Sequence, residues 1–368
     1  MLAVVAALAM MGGPLIPDLP NPLPPGNEER PPPEQPPAQD PPKTSAPPSA
    51  RAERYCDRMA APWGSNGASG APREPFRTPG RLATSLAPGE TGCLRGGEYT
   101  QREVIVRRRK VTLRSAPGER ATWRGRIVLA GRGDRLVDLT LDGSAGPRGP
   151  DGGRSTLPSP TLNAPHVVVS DNDITDRGTG ICVSASKWRG MVPDRFVIQR
   201  NRVHDCGRRP ETNHDHGIYI SIGDRGVIRD NVIAGNADRG IQLFPNATRT
   251  RVVRNTVDGN GSGVIFSNDS SRNVVRDNVF TNAMVRWNAE SHKLVGRGNR
   301  FESNCVRGGN PDPDYNQNGG VMLPSLVAQS DNLEPAGEPY RDRAKGDYRL
   351  TPGGPCEGKG APESVAAP

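Results

Sequence analysis

The sequence predicts an all-β solenoid of stacked short strands, and three observations carry that reading. A triplet of Asn, any residue, then Val, Ile or Phe recurs at Asn172, Asn201, Asn231, Asn255, Asn278 and Asn299, in steps of 29, 30, 24, 23 and 21 residues. A second run follows in register: Gly180-Ile181-Cys182-Val183, Gly217-Ile218-Tyr219-Ile220, Gly240-Ile241-Gln242-Leu243 and Gly263-Val264-Ile265-Phe266. A third run, Phe196-Val197-Ile198, Val227-Ile228, Val252-Val253 and Val274-Val275, precedes each new Asn. Three short β-branched runs per period suit a coil of stacked strands. Each run is too short for a helix, and strand alternation turns every second side chain inward. Helix is expected to be minor, with one short segment at the N-terminal cap. The leucine consensus of a leucine-rich repeat is absent. A hydrophobic fraction of 33% is low for a conventional globule, but suits a narrow core that runs along one axis.

Along the chain, Leu2 to Met11 is an apolar run containing Ala7-Leu8-Ala9, so residues 1–13 read as a secretory signal peptide, although no Lys or Arg precedes the run. Residues 14–52 are dense in proline, which fixes φ and removes a donor, so a disordered, extended linker is expected there. Residues 53–98 are the N-terminal cap region, 99–307 the solenoid and 308–368 the C-terminal cap and tail. The polar run Asn310 to Gly320 marks the end of the periodicity, and two short strands are expected at Val321-Met322-Leu323 and Tyr348-Arg349-Leu350. Six cysteines, with no CxxC pair, fit disulfides in a secreted or cell-surface protein better than zinc. Neighbourhood pairs Cys56 with Cys93 and Cys305 with Cys356. Cys182 and Cys206 stand about one coil apart and could be linked between coils, though the sequence does not fix their side-chain directions.

The formal charge is +8, from 48 basic and 40 acidic residues, yet only six of the basic residues are Lys. The Arg residues are dispersed apart from Arg107, Arg108 and Arg109, so the basic-patch criterion for nucleic acid is not met. No apolar run of 18 or more residues follows the N-terminus, so no internal membrane span is expected, and the protein is read as a monomer. Asn236 and Asn260 hold matching places in the turn after the first strand of their coils. Asparagines stacked there can bond the next coil's backbone, so an internal Asn ladder is expected.

These repeats, over residues of about 81–310, resemble the secreted right-handed parallel β-helix family with the pectin-lyase-like fold. Leu86-Ala87-Pro88-Gly89-Glu90 and Leu94-Arg95-Gly96-Gly97-Glu98-Tyr99 are similar to that family's cap and first strand. Val111 to Glu119 and Leu139 to Gly143 resemble its early coils. The resemblance implies a right-handed parallel β-helix. It does not fix a chemistry, because this fold hosts lyases, hydrolases, epimerases and binding proteins.

Coil register then nominates a site. Ile181, Val183, Ile218, Ile220, Ile241 and Leu243 are expected inside. Cys182, Tyr219, Gln242 and Ile265 form one outward column, Ser184, Ser221, Phe244 and Ser267 the next, and Thr179, His216, Arg239 and Ser262 stand just before the strands. Insertions at 185–194 and 207–215 flank this cluster, and solenoid insertions often border the binding face. The scarce residues gather there: His204, His214 and His216 are three of five His, and Trp188 is one of four Trp. The expected groove holds His216, Tyr219, Arg239, Gln242, Lys187 and Trp188, with His214 and Asp215 on its rim.

The ligand expected is an acidic polysaccharide. Elimination or epimerisation beside a uronate carboxylate needs a base, an acid for the leaving oxygen and a cation on the carboxylate. Arg239 or Arg189 can neutralise, His216 or Lys187 can be the base and Tyr219 the acid, while Trp188, Arg189, His214, Asp215 and Gln242 hold the substrate. Asn213-His214-Asp215-His216-Gly217 is similar to the Asp-Pro-His motif of alginate epimerases, without its Asp-Pro step. His216-Gly217-Ile218-Tyr219-Ile220-Ser221 resembles the His-Gly segment of polygalacturonases, whose aspartate motifs have no match. A hydrolase is disfavoured, since only Asp205 and Asp215 could pair across a bond. The alternative is a non-catalytic glycan-binding or spacer module. No cofactor is expected. Asp171, Asp173 and Asp215, and separately Asp312 and Asp314, are the candidate Ca2+ ligands, but none stands in a recognisable loop spacing.

Overall fold

A computed structural model describes residues 50–308 and 320–368, with the side chains of Ala50, Arg51, His292 and Lys293 left aside. The signal run, nearly all of the proline-rich segment and the Asp312/Asp314 run lie outside the described residues. The remainder is a parallel β-helix with three faces. Face one is an 11-stranded sheet from Arg58–Ala60 to Val327–Ser330. Faces two and three belong to one 16-stranded sheet that folds at the long strand Ala121–Leu129. Thr122 to Arg124 of that strand pair with Thr140 to Asp142 on face two, and Val128 and Leu129 pair with Thr161 and Leu162 on face three. Every pairing in these faces is parallel, and each coil visits faces one, two and three in turn.

The core is three rows of apolar side chains at the strand spacing of about 4.8 Å. Val169, Ile198, Ile228, Val252, Val275 and Phe301 line face one; Ile174, Val203, Ile233, Val257, Phe280 and Val306 line face two. On face three Val183, Ile218, Ile241, Val264 and Ala289 stack in register, beside Ala185, Ile220, Leu243 and Phe266. The helix Pro79–Ser85 closes the first coil. Thr78 caps its N-terminus by accepting from the Arg81 N–H, and Leu82 and Ala83 join the core, as does Leu86 just beyond. Two other helices, Ala50–Tyr55 and Glu363–Ala366, are single short turns.

The corner between faces one and two is built from one repeated device. The residue before each ladder Asn, namely Asp171, Arg200, Asp230, Arg254, Asp277, Ser303 and Asp331, takes φ between 51° and 61° and turns the chain. The Asn side chain then points inward. Asn172 donates through Nδ2 to Asn201 Oδ1, and the chain of bonds continues through Asn231, Asn255, Asn278, Asn304 and Asn332 at 2.8–3.2 Å. Each Oδ1 also accepts the backbone N–H of the preceding ladder residue, so buried amides at the corner are paired. Asn236 and Asn260 form a second ladder at the next corner, as expected, with the Cys206 N–H donating to Asn236 Oδ1.

Three readings of register are corrected. Asn299 is not the sixth member of the first ladder; it pairs with Asn273 in a third ladder on the way into face one, and Asn304 takes the assumed place. The second is Ile181, which is not stacked on Ile218: Val183 is, because the strand begins two residues later as Val183–Ala185. The third follows from it. Cys182 is fully buried rather than outward, drawn in by its disulfide to Cys206, and Ser184 takes the place beside Tyr219. All six cysteines are paired, as Cys56–Cys93, Cys182–Cys206 and Cys305–Cys356.

Stacked strands extend on both sides of the 99–307 span marked by the repeat. Arg58–Ala60 and Thr91–Leu94 already belong to face one, and Val321–Met322 and Val327–Ser330 add to faces three and one. The tail then forms the hairpin Tyr340–Asp342 with Asp347–Leu350 and runs back across face two. Tyr340 meets Thr281, Arg343 pairs with Asp258 at 2.7 Å, the Ala361 N–H donates to Thr256, and Val365 and Ala366 pack on Val232 and Ala234.

Candidate functional site

The expected cluster on face three is built from two columns. His216, Arg239 and Ser262 stand one below another, with Arg239 and Ser262 in register; Ser184, Tyr219, Gln242, Ile265 and Glu290 form the second column. Glycines bring the columns together. A Cβ on Gly217 would lie 2.9 Å from Asn236 Nδ2, and one on Gly240 would lie 3.0 Å from Asn260 Nδ2 and 2.8 Å from Val257. The backbone therefore presses against the second Asn ladder, and the residues on either side of the Gly-Ile step both turn outward. His216 and Tyr219 meet edge to face, with ring centroids 5.6 Å apart.

This cluster is far more enclosed than an exposed sheet face. His216 is 3% exposed, Arg239 5% and Glu290 3%. Arg239 Nε donates to Glu290 Oε1 at 3.1 Å, Arg239 Nη1 donates to Asn213 Oδ1, and the Ser262 hydroxyl shares its proton between the Trp287 carbonyl at 2.9 Å and the same Glu290 oxygen at 3.0 Å. Two buried polar atoms have no hydrogen-bond partner: His216 Nδ1 and Gln242 Oε1. Burial pushes the His216 imidazole well below its ordinary value, and the nearby Arg239 and His214 charges add to that, so the ring is neutral. Burial also raises the Tyr219 phenol, which keeps its proton. The Arg239 guanidinium is lowered by burial and held up by Glu290. The result is a neutral imidazole and a protonated phenol side by side, next to a charge-balanced Arg–Glu pair.

The structure thus brings together His216, Tyr219, Arg239 and Gln242, as the register argument required. It adds Glu290, which the sequence reading missed, and gives bonding partners in the cluster to Ser262 and Asn213, which that reading had placed beside Arg239 and His216 without a role. Glu290 could have been found by carrying the column one coil further, where Ala289-Glu290-Ser291 aligns with Val264-Ile265-Phe266. That strand lacks the Gly-Ile signature of its neighbours. Arg239, expected to neutralise a uronate, therefore already carries a buried carboxylate of its own, and that expected role is corrected.

Other expected members sit elsewhere. Asp215 is not on an exposed rim: it is buried and forms a forked ion pair with Arg208. Asp238, also buried, accepts the backbone N–H groups of Asn213, His214 and Asp215 and so fixes the second insertion. The His214 side chain remains exposed. Lys187 is exposed, and Trp188 forms a tight turn with Met191. The Trp188 ring carries the Arg189 guanidinium at 4.8 Å and that of Arg107 at 5.7 Å. Among the described residues no hydrogen bond, ion pair or ring contact joins Lys187, Trp188 or Arg189 to the His216 cluster.

A second polar cluster lies where face two is not covered by the tail. His204 is clamped between Asp173 and Asp205, each at 2.7 Å, in a cleft of about 650 Å³ shared with Arg177 and Arg209. The hydrogen bond to Asp173 leads the causes that raise the His204 pKa. Both of its ring nitrogens are engaged, so it has no lone pair to offer a substrate. The candidate calcium ligands are likewise committed: Asp171 to Arg200 at 2.6 Å, Asp173 to His204 and Asp215 to Arg208. Among the described residues no group of three or more His, Cys, Asp or Glu is arranged to hold a metal.

Comparison with known proteins agrees with this architecture. Residues 161–320 match the family described as "Right handed beta helix region". No curated protein sequence matches the chain. Among solved structures, the pectate lyase Pel9A is similar over 85% of this chain and 95% of its own, at 12% identity and a TM-score of 0.53. An alginate lyase from Paenibacillus sp. str. FPU-7 is similar over 70% and 94%, at 18% identity and 0.53. The Agl-KA catalytic domain is similar over 69% and 49%, at 12% identity and 0.55. At these identities the likeness is one of fold. On its matched coils and its three-faced architecture, the chain is a right-handed parallel β-helix protein with the pectin-lyase-like fold.

Proposed function

We propose that this is a secreted β-helix protein that binds an acidic polysaccharide on face three and processes it by proton transfer, as a lyase or an epimerase does. The observation that carries the reading is the enclosed edge-to-face contact of His216 with Tyr219, where His216 Nδ1 and the neighbouring Gln242 Oε1 have no partner among the described residues. A base must be unprotonated and an acid protonated at working pH, and burial biases each group in the required direction. His216 then takes the proton beside the uronate carboxylate, and Tyr219 delivers a proton to the leaving oxygen or to the opposite face of the carbon. Lys187, exposed and apart from the cluster, is not needed as the base. Gln242 Oε1 and His216 Nδ1 are unsatisfied groups that a sugar hydroxyl would satisfy. The fold is shared with structures named as a pectate lyase and an alginate lyase, which supports the substrate class by analogy. Three disulfides support export.

The test is a panel of polygalacturonate, alginate and other uronate polymers. Growth of ultraviolet absorbance from an unsaturated product identifies a lyase, and a change in C5 configuration by NMR identifies an epimerase. A second reading, a non-catalytic glycan-binding or spacer module, is favoured by one observation: the buried Arg239 guanidinium at the cluster already has a carboxylate. Binding without product formation would select it.

A further inference from the structure

We infer that Glu290 sets the substrate class of the face-three site, because its carboxylate holds the place on Arg239 that a uronate carboxylate of the polymer takes over on binding. The inference rests on the reading of face three as an acidic-polysaccharide site and names the residue that enforces it.

The geometry of the pair is the ground for this. Three more exposed ion pairs, two at coil corners and one in the tail hairpin, are forked. Arg200 reaches both oxygens of Asp171 at 2.6 and 2.8 Å, Arg254 both oxygens of Asp230 at 2.8 and 3.3 Å, and Arg349 both oxygens of Asp347 at 2.8 and 2.6 Å. The Arg239–Glu290 pair is more enclosed than any of these, yet it is joined at a single point, Nε to Oε1. Among the described residues no hydrogen bond reaches Arg239 Nη2 or Glu290 Oε2. A guanidinium matches a carboxylate best through two parallel bonds, so Arg239 retains recognition capacity that Glu290 does not use. Beside Arg239 is a hollow of about 10 Å³ bordered also by Ser262, Arg286 and the carboxylates of Glu211 and Asp238, room for about one water. A sugar carboxylate does not fit in it, so it reaches the Arg239 guanidinium by taking the place of Glu290. Arg286 borders the same hollow, is exposed, and has no ion pair among the described residues, so a displaced Glu290 has a second cation within the site. A neutral sugar has no anion to exchange and leaves Glu290 in place. Discrimination by charge follows without any free cation being displayed in the empty site.

The test compares wild type with Glu290→Gln on polygalacturonate, on alginate, and on the carboxyl-reduced form of each, by calorimetric titration and, where turnover occurs, by KM and kcat. Freeing Arg239 should tighten binding of the uronate polymers at least about tenfold, the scale of one charge-assisted hydrogen bond. Binding of the carboxyl-reduced polymers should not change. A Glu290 that only props up the fold would instead weaken both kinds of polymer alike, and that result overturns the inference, as does unchanged uronate binding by a folded variant. Ser262→Ala provides a second route should Glu290→Gln fold poorly: it keeps both charges, removes one of the two bonds to Glu290 Oε1, and should give a smaller gain, about two- to threefold, on the uronate polymers alone. No gain there overturns the inference in the same way. If wild type binds no uronate polymer but Glu290→Gln does, the exchange stands and the proposed native substrate falls. If neither binds, both fall.

Discussion

The corner between faces one and two and the groove on face three are made by the same coils, yet they are governed by different demands. At the corner each coil repeats one solution: a left-handed residue, then an Asn whose side chain bonds the next Asn. On face three no two neighbouring coils present the same group. Ser184, Tyr219, Gln242, Ile265 and Glu290 succeed one another in a single column, and two of the corresponding strands carry a register shift. The corner pairs the side-chain amides of its first ladder with the next Asn and with backbone carbonyls of the neighbouring coil. The groove leaves His216 Nδ1 and Gln242 Oε1 unsatisfied and buries an ion pair. Repetition marks where the molecule is held together, and its failure marks where polar groups gather for some other purpose.

The sharpest way to break this comparison is to exchange the expected consequences of substitution in the two regions. Asn231→Ala in the first ladder takes partners from the Asn201 backbone N–H, from one of the two N–H groups of the Asn201 side chain and from the Ile198 carbonyl. At about 1–3 kcal/mol for each buried orphan, a loss near 4 kcal/mol is expected, read as a fall in the denaturation midpoint. In the groove the loss should fall on activity. Arg239→Ala should reduce turnover of a uronate polymer about 10²–10³-fold. Tyr219→Phe should reduce it by at least about 10²-fold while polymer affinity stays nearly the same, because only the proton donor is removed. A Tyr219→Phe protein with full turnover would show that the wrong face had been chosen.

Legibility followed the same division. The ladder could be read from Asn spacing because identical residues at matching positions must meet if the coils stack. Even there Asn299 was assigned to the wrong corner, since Asn299-Arg300-Phe301 has the motif of one ladder and the place of another. On face three the column containing Tyr219 and Gln242 could be read, because Gly-Ile-x-Ile fixes its own phase. Ile181 misled for the opposite reason. Gly180-Ile181-Cys182-Val183 carries the same pattern, but the link to Cys206 turns Cys182 inward and delays the strand by two residues. The bond between Arg239 and Glu290 spans two coils and 51 residues, and no local pattern announces it. The Trp188 loop was grouped with the cluster because it is an insertion carrying a scarce Trp, while its ring packs against Arg107 from a much earlier coil.

The Cys182–Cys206 link stands where the two regimes meet, and it offers the next test. Cys206 occupies the second-ladder place just before Asn236: its N–H donates to Asn236 Oδ1 as the Asn236 N–H does to Asn260 Oδ1. Replacing both cysteines by Ser removes a cross-link across a separation of 24 residues, worth about 3 kcal/mol on the chain-entropy account. Cys206→Asn with Cys182→Ser should recover about 1 kcal/mol of that by continuing the ladder for one more step. Equal midpoints for the two double variants would mean that the ladder ends at Asn236 for a reason other than the disulfide.

The smallest expected effect lies outside both regions, in the His204 clamp, and its sign separates it from them. His204 is raised above its ordinary value of 6.5 by its hydrogen bond to Asp173, opposed by burial and helped by Asp205. Its contribution to stability is therefore fully present below pH 6.5 and is lost as pH rises through the raised value. Burial would raise Asp173, but the bond and charge of His204 outweigh it, and the carboxyl is lowered from 3.8. Its contribution is present above pH 3.8 and is lost as pH falls through the lowered value. Both terms hold between those two ordinary values, so His204→Gln should cost most between about pH 4 and 6.5 and progressively less in alkali. His204 and Asp173 are 37% and 40% exposed at the side chain, so solvent screening limits the cost to about 1 kcal/mol or less, no more than about 2–3 °C in the unfolding midpoint. His216 should behave differently. It is buried and neutral, so replacing it should shift the midpoint by an amount that does not vary across pH 7–9. A His204→Gln deficit that grows above pH 7 would mean that the ring is held neutral between its two carboxylates.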